Sequence, residues 1–341
     1  MKNVLLQLAE QKSLTEDQMK EAFEGVLQEE VTESEIAAFL MGLKAKGETV
    51  GEIAGIVKAL QNNTPIFTEK FANVLDNCGT GGDGSSSFNI STTSAFVIAG
   101  AGIIVGKHGN RSISSKTGSA DVLEALGVQL ELPYEQSEEI LKEIGITFLY
   151  APHYHPNLKK VNAVRKHLGI PTVFNYIGPL TNPISLDYQM LGVNNRNLLE
   201  PLAEVLKALG RKRATVLNGA GNMDEASLAG ENYLTILDDG MITSTTFTAE
   251  DVNLPRYENS QIKGGDAKEN AEILVNVLKG KKGAHRDTVL LNAGIGIFTA
   301  KKADSIQDGI QVARESLDSG AAYEKLRLLI EKSRSGKVEA I

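Results

Sequence analysis

Four glycines in six positions, Gly79-Thr80-Gly81-Gly82-Asp83-Gly84, separate a short apolar run from an apolar helical segment. Glycine lets the backbone take φ > 0 and leaves no side chain in the way of a ligand. The N–H groups of such a turn, and those opening the next helix, can face an anion, which the helix dipole also favours. A second polar turn, Gly106-Lys107-His108-Gly109-Asn110-Arg111-Ser112, follows the next β-rich run and adds cations and hydroxyls. Two such turns, each after a predicted strand, belong side by side at the carboxyl ends of a parallel sheet, where α/β proteins bind ligands. Together they predict a cradle for a ligand with more than one phosphate.

Residues 1–65 read as helices alone. Thr15-Glu-Asp-Gln18, Thr32-Glu-Ser-Glu35 and Thr49-Val-Gly-Glu52 each match the capping box that starts a helix. Met19, Ala22, Phe23, Val26 and Leu27 then form one apolar stripe, and Ile53, Ile56, Val57 and Leu60 form another. From residue 73 the pattern changes. Apolar runs at 73–75, 103–105, 147–150, 214–217 and 288–291 alternate with helical segments at 91–99, 120–126, 135–144 and 198–209. That alternation predicts an α/β fold with a mostly parallel central sheet. Residues 162–183 break the rhythm with Pro171, Gly178, Pro179 and Pro183, which suits a crossing back to the helical part. Two helical patterns, 306–317 and 322–330, end the chain. The expected organisation is a small all-α domain over 1–65, completed by part of 160–185, and a large α/β domain over 70–341.

The 341 residues carry a net charge of −8, which argues against a general affinity for nucleic acid. The single cysteine, Cys78, excludes an internal disulfide and fits a reducing compartment. No apolar run approaches the roughly 18 residues that a membrane span needs. A cytoplasmic protein is expected.

Gly79–Gly84 also satisfies G-x-G-x-x-G, a weak match by itself. A dinucleotide site would want an acidic residue about 20 positions on, and here that region ends in Lys107-His108. The Walker pattern is absent. Asn89 and Ser91 are natural N-caps, and their side chains, with Thr92, could also serve phosphate or a metal. Asp83 suits either an Asx turn or an acceptor for a sugar hydroxyl. Lys107–Lys116 packs three cations and three serines before another helix start, where Ser119 is a candidate N-cap, phosphate donor, or both. Asp224-Glu225 is an acidic pair in a glycine-rich turn. It suits either a helix N-terminus or Mg²⁺, which usually takes one or two carboxylates and fills its other positions with water and phosphates. His153 and His155 lack a third zinc ligand at recognisable spacing and read as turn or wall residues. Arg165 is either a surface cation or a fork for a carboxylate. No nucleophile–base pair is visible. The residues describe a diphosphate substrate, Mg²⁺ and little acid–base machinery, which suits pyrophosphate as the leaving group.

At these residues the chain resembles the anthranilate phosphoribosyltransferases. The matching stretches are DNCGTGGDG, FNIST, GKHGNRSISSKTGSADVLEALG, FLYAPHYHP, VRKHLGIPTVFNYIGPLTNP, MDEASL and LNAGIGIF. The resemblance implies phosphoribosyl transfer from 5-phosphoribosyl 1-diphosphate to the amine of anthranilate, a step of tryptophan biosynthesis. It implies that Gly79, Gly82, Asp83, Ser87, Asn89, Ser91, Thr92, Lys107, Ser115 and Ser119 bind the sugar diphosphate. Ser91, Asp224 and Glu225 would hold Mg²⁺. Asn110 and Arg165 would hold anthranilate, with His108 and His155 lining its channel. Lys107, Asn110 and Arg165 would act by charge and position, with no acid/base residue. It further implies a dissociative displacement, the fold class of the nucleoside phosphorylases and phosphoribosyltransferases, and a homodimer through the helical domain.

Asn218, Met223 and Asn157-Leu158 depart from the family's commonest residues, His, Leu and Ala-Met, and bear on loop packing. Two other readings make different demands on the chain. A non-enzymatic nucleic-acid binder of the same fold would call for a basic surface, and a phosphate-using nucleoside phosphorylase for a longer chain.

Overall fold

The computed structural model describes residues 1–65, 67–112 and 116–335. After α1 (Lys2–Ala9), three helices start where their caps predict: α2 (Glu16–Val26), α3 (Glu33–Lys46) and α4 (Val50–Asn62). Thr15, Thr32 and Thr49 each accept the N–H three residues on, while Gln18, Glu35 and Glu52 reach back to the cap N–H. The stripes meet in one core, where Met19, Phe23 and Val26 pack with Phe39, Leu40, Ile53, Ile56 and Leu60.

The rest alternates. β1 (Val74–Asp76), α5 (Ile90–Gly100), β2 (Ile104–Gly109), α6 (Ser119–Ala125), α7 (Tyr134–Ile144) and β3 (Ile146–Tyr150) come first. The short helices α8 (Ala151–Tyr154), α9 (Lys159–Leu168) and α10 (Phe174–Ile177) follow. Val161 and Val164 of α9 and Phe174 and Ile177 of α10 share a buried cluster with the N-terminal helices, a cluster that also takes in Leu191, Leu202 and Val216. Then come β4 (Tyr188–Gly192), α11 (Leu199–Ala208), β5 (Arg213–Asn218), β6 (Asn232–Asp238) and β7 (Met241–Phe247). Four helices close the chain: α12 (Ala267–Leu278), α13 (Ala284–Thr299), α14 (Ile306–Asp318) and α15 (Ala321–Arg334).

The seven strands form one sheet in the order β3-β2-β1-β4-β5-β6-β7. The first five in that order are parallel, and β6 and β7 add an antiparallel hairpin at one edge. β1 lies between β2 and β4, so the turns after β1, β2, β4 and β5 all open at the same end.

Two expectations need correction. The run 288–291 is not a strand but the middle of α13. Every residue from 288 to 297 is buried, so the helix is apolar all round and shows no 3.6-residue stripe. Ser119 is not an N-cap. It is the first residue of α6, Gly118 takes the cap position, and the Asp121 carboxylate accepts the Gly118 N–H at 2.8 Å.

Candidate active site

The turns after β1 and β2 line one cleft of about 360 Å³. Ser91 and Thr92 at the start of α5, Arg165 from α9, His155, and the Asp224-Glu225 turn after β5 complete its walls.

The glycine turn after β1 needs its glycines for two separate reasons. Gly81 sits at φ 69°, a region that strains other residues. A Cβ on Gly79 would lie 2.4 Å from Oδ2 of Asp224, so only glycine lets the two turns approach. The turn is then tied down from outside. Thr80 donates its N–H to the Gly192 carbonyl at 2.9 Å, Gly81 donates to Asp224 Oδ2 at 2.6 Å, and Asn194 Nδ2 donates to the Gly81 carbonyl at 3.0 Å. Thr92 keeps its hydroxyl buried in the wall with no partner among the described residues. A buried hydroxyl without a partner is costly, and a ligand oxygen would relieve that.

Three carboxylates gather around this turn. Burial first, and then the Asp83 charge, raise the Asp224 carboxyl above its ordinary range. Burial and then Asp224 raise Glu225, which Lys107 partly offsets. Glu225 Oε1 accepts the Ser91 N–H at 3.0 Å. Asp83 forms the Asx turn, accepting from the Ser85 N–H at 3.0 Å and the Ser85 hydroxyl at 2.9 Å. Its other oxygen is buried without a partner among the described residues. Mutual repulsion of this kind is what a divalent cation relieves. Among the described residues no three His, Cys, Asp or Glu side chains form a metal cage. Two carboxylates and a serine fit Mg²⁺ that shares its remaining positions with phosphate oxygens and water.

Lys107 is buried in the opposite wall, its Nζ 3.5 Å from both the carbonyl and Oδ1 of Asn77. Beside it, burial and then the neighbouring His155 push His108 down to about 3. The two imidazoles meet edge to face at 5.6 Å. Nε2 of His155 lies 2.9 Å from the Thr181 carbonyl, which can only accept, so Nε2 carries the proton and Nδ1 faces the Thr64 hydroxyl at 3.1 Å. Burial lowers His155 as well, so both rings are neutral wall groups. His153 packs on Tyr134. Arg165 is half-buried, 5.0 Å above the Phe174 ring, and donates from Nη1 to Asn162 Oδ1 at 3.0 Å. Asn110 accepts the Ser119 hydroxyl on its carbonyl at 3.2 Å.

Thus Gly79, Gly82, Asn89, Ser91, Thr92, Lys107, His108, Asn110, Ser119, His155, Arg165, Asp224 and Glu225 line one cleft. Asp83 and Ser87 stand off its walls, with Ser87 bridged to Lys263. Ser115 lies outside the described residues. The sequence reading missed Asn77 and Asn194. Asn77 donates to the Ser91 carbonyl at 2.9 Å, linking Ser91 to Lys107. Asn194 follows β4, a strand that the apolar runs did not reveal.

The model of the glycosyl transferase family's helical bundle domain matches residues 2–64, and that of its a/b domain matches residues 72–323. An anthranilate phosphoribosyltransferase of Bacillus cereus is 51% identical over 341 residues, all of both chains. The solved anthranilate phosphoribosyltransferase of Thermus thermophilus superposes with a TM-score of 0.92 at 40% identity, covering 97% of this chain and 99% of its own. The Saccharomyces cerevisiae enzyme, solved in complex with PRPP and Mg, superposes with a TM-score of 0.89 at 26% identity, over 98% of this chain and 97% of its own.

Proposed function

The chain belongs to the anthranilate phosphoribosyltransferase family, and from that premise we propose how its cleft performs the family's reaction. The enzyme transfers phosphoribosyl from 5-phosphoribosyl 1-diphosphate to the amine of anthranilate. The products are N-(5-phosphoribosyl)anthranilate and pyrophosphate, in tryptophan biosynthesis. The observation that carries the reading is the joining of two anion-binding turns and an acidic pair in one cleft. A yeast relative solved with 4-fluoroanthranilate supports the acceptor.

The Gly79–Gly82 turn, Asn89, Ser91, Thr92, Lys107 and Ser119 bind the sugar diphosphate, with Asp83, Ser87 and Ser115 completing that set. Ser91, Asp224 and Glu225 hold Mg²⁺, which supplies positive charge to the departing pyrophosphate when bound. Arg165 and Asn110 orient anthranilate, and neutral His108 and His155 wall its channel without adding charge. The displacement is dissociative: the C1–O bond to pyrophosphate breaks ahead of attack and leaves oxocarbenium character at C1. The amine then forms the new C–N bond, and its surplus proton passes to the released pyrophosphate or to water. Buried Lys107 faces the developing anion, so stabilisation comes from position and charge rather than a protein nucleophile.

We further infer a homodimer through the helical domain. Leu6 is 53% exposed and Met41 37% exposed, and a groove between α1 and α3 is lined by Leu5, Leu6, Ala38 and Gly42. Sedimentation of Leu6→Asp should show monomer where the parent is dimeric. The compartment is the cytoplasm. No described helix is long and apolar enough to cross a membrane, and the one cysteine is free and buried.

Anthranilate fluorescence tests the reaction directly. Signal should fall only with both 5-phosphoribosyl 1-diphosphate and Mg²⁺ present. A folded protein that leaves anthranilate untouched would refute the reading.

A further inference from the structure

The proposed Mg²⁺ ligands come from two separate segments: Ser91 lies in the first turn of α5, and Asp224-Glu225 in the turn between β5 and β6. α13 reaches both. Its Asn292 side chain is buried and takes both backbone groups of Ala226, the residue directly after Glu225. Oδ1 accepts the Ala226 N–H at 2.9 Å, and Nδ2 donates to the Ala226 carbonyl at 2.9 Å. The same Nδ2 donates to the Thr288 carbonyl, one turn back on α13, at 2.9 Å. An N–H only donates and a carbonyl only accepts, so these partners fix which way the amide points. One turn further on, Gly296 lets α13 close onto α5, because a Cβ there would lie 2.5 Å from Cδ1 of Ile98. Residues four apart share a helix face, so one face of α13 meets both the acidic turn and α5.

Other contacts shape the turn without setting that distance. Asn232 grips Ser227 in the same two-way manner, at 2.7 and 2.9 Å, but five residues away, closing a local loop. Asn218 donates to the Met223 carbonyl at 3.3 Å from the end of β5 itself. Asp224 and Glu225 bond to the Gly81 and Ser91 N–H groups through carboxylate oxygens that a cation would share. Asn292 instead holds backbone, from a helix that also packs on α5.

Resting on the Mg²⁺ site of the proposed reaction, we propose that Asn292 is a positioning residue that fixes the Asp224-Glu225 turn relative to Ser91 before the metal binds. A turn held in place beforehand needs no ordering when the cation arrives.

The test is calorimetric titration of the full chain with pyrophosphate, once as its Mg²⁺ complex and once with EDTA. Wild type should bind the Mg²⁺ complex more tightly. Asn292→Ala should bind that complex about 10-fold more weakly than wild type, the lower end of the loss expected when a residue orienting metal ligands is removed. Metal-free pyrophosphate should bind within about 3-fold of wild type, because Thr80 and Asn194 still hold the glycine turn. Val289→Ala, buried on the same helix and outside the cleft, should lower the melting temperature and keep the wild-type gain from Mg²⁺. A full Mg²⁺ gain in Asn292→Ala, or an equal loss in Val289→Ala, would overturn the proposal. If Asn292→Ala does not fold, hydrogen exchange of the wild type decides: the Ala226 amide should exchange as slowly as those in the middle of α13, and fast exchange would overturn the proposal. A wild type that gains nothing from Mg²⁺ would refute the metal site itself, whereas a gain that survives in Asn292→Ala refutes this role alone.

Discussion

The backbone N–H of Gly81 donates to Oδ2 of Asp224 at 2.6 Å, joining the phosphate turn after β1 to the acidic turn after β5. The carboxylate proposed to hold Mg²⁺ thus also anchors the loop proposed to receive the diphosphate. Asp224→Asn with Glu225→Gln keeps acceptors for the Gly81 and Ser91 N–H groups while removing both charges. Mg²⁺-dependent kcat should fall by about 100-fold with the fold intact, a loss of the size expected when charge stabilisation worth several kcal/mol is weakened. Titrating Mg²⁺ against initial rate checks this, and an unchanged Mg²⁺ dependence would remove the pair from the metal site.

The role proposed for Arg165 predicts different effects on the two substrates. Its guanidinium is half-buried, seated on Phe174 and held by Asn162. Arg165→Ala should raise the KM for anthranilate by about 10- to 100-fold, the range for losing a charge-assisted hydrogen bond. The KM for the sugar diphosphate should change far less. Steady-state kinetics in both substrates decides the matter, and equal rises would refute the carboxylate role.

His108 gives the site a defined acid response. Its folded value is pushed down to about 3 from the ordinary 6.5, chiefly by burial. Between those values the unfolded chain binds a proton that the folded chain does not. Stability from this group is therefore complete above about pH 6.5 and is lost as pH falls toward 3, at no more than about 1.4 kcal/mol per pH unit. The His108 ring resonance should not titrate between pH 5 and 8 by NMR. The fall in melting temperature from pH 6.5 to 4.5 should also be shallower in His108→Gln. A ring that titrates near 6.5 would show that it is not sealed from water.

Much of this was legible where local chemistry is self-contained. The three threonine boxes announce their helices because each closes within four residues. The glycine turn after β1 was visible because glycine clusters are rare between apolar runs, whereas Gly106–Gly109, expected to open the second turn, belong to β2 itself and only the residues from Asn110 on leave the strand. α13 escaped because burial on every side removes the period that marks a helix. The β6–β7 hairpin escaped although Asp239-Gly240, both at positive φ, turn it in two residues, a signal present in the sequence and not used. The roles of Asn77, Asn194 and Asn292 could not be read at all. Their roles come from partners on strands and loops far away in the chain, which spacing does not encode.

Glu52 shows how one capping motif can serve two purposes. In α4 it closes the box with Thr49, accepting the Thr49 N–H at 2.8 Å. It is also wholly buried, accepts the Leu14 N–H at 3.0 Å, and pairs with Lys46 at 2.8 Å, whose side chain is 5% exposed. Glu35 closes the matching box in α3 at the surface, without a buried cation. Glu52→Ala would leave the Lys46 ammonium with the Gly47 carbonyl at 2.6 Å but no counter-charge, would strand two N–H donors, and should cost about 3–5 kcal/mol, the range for breaking a buried pair from one side. In a chain of this size that lowers the melting temperature by roughly 5 °C. Glu35→Ala removes the same capping contact and should lower it far less. Melting curves of both variants isolate the buried network from the cap, and equal losses would assign the whole effect to capping.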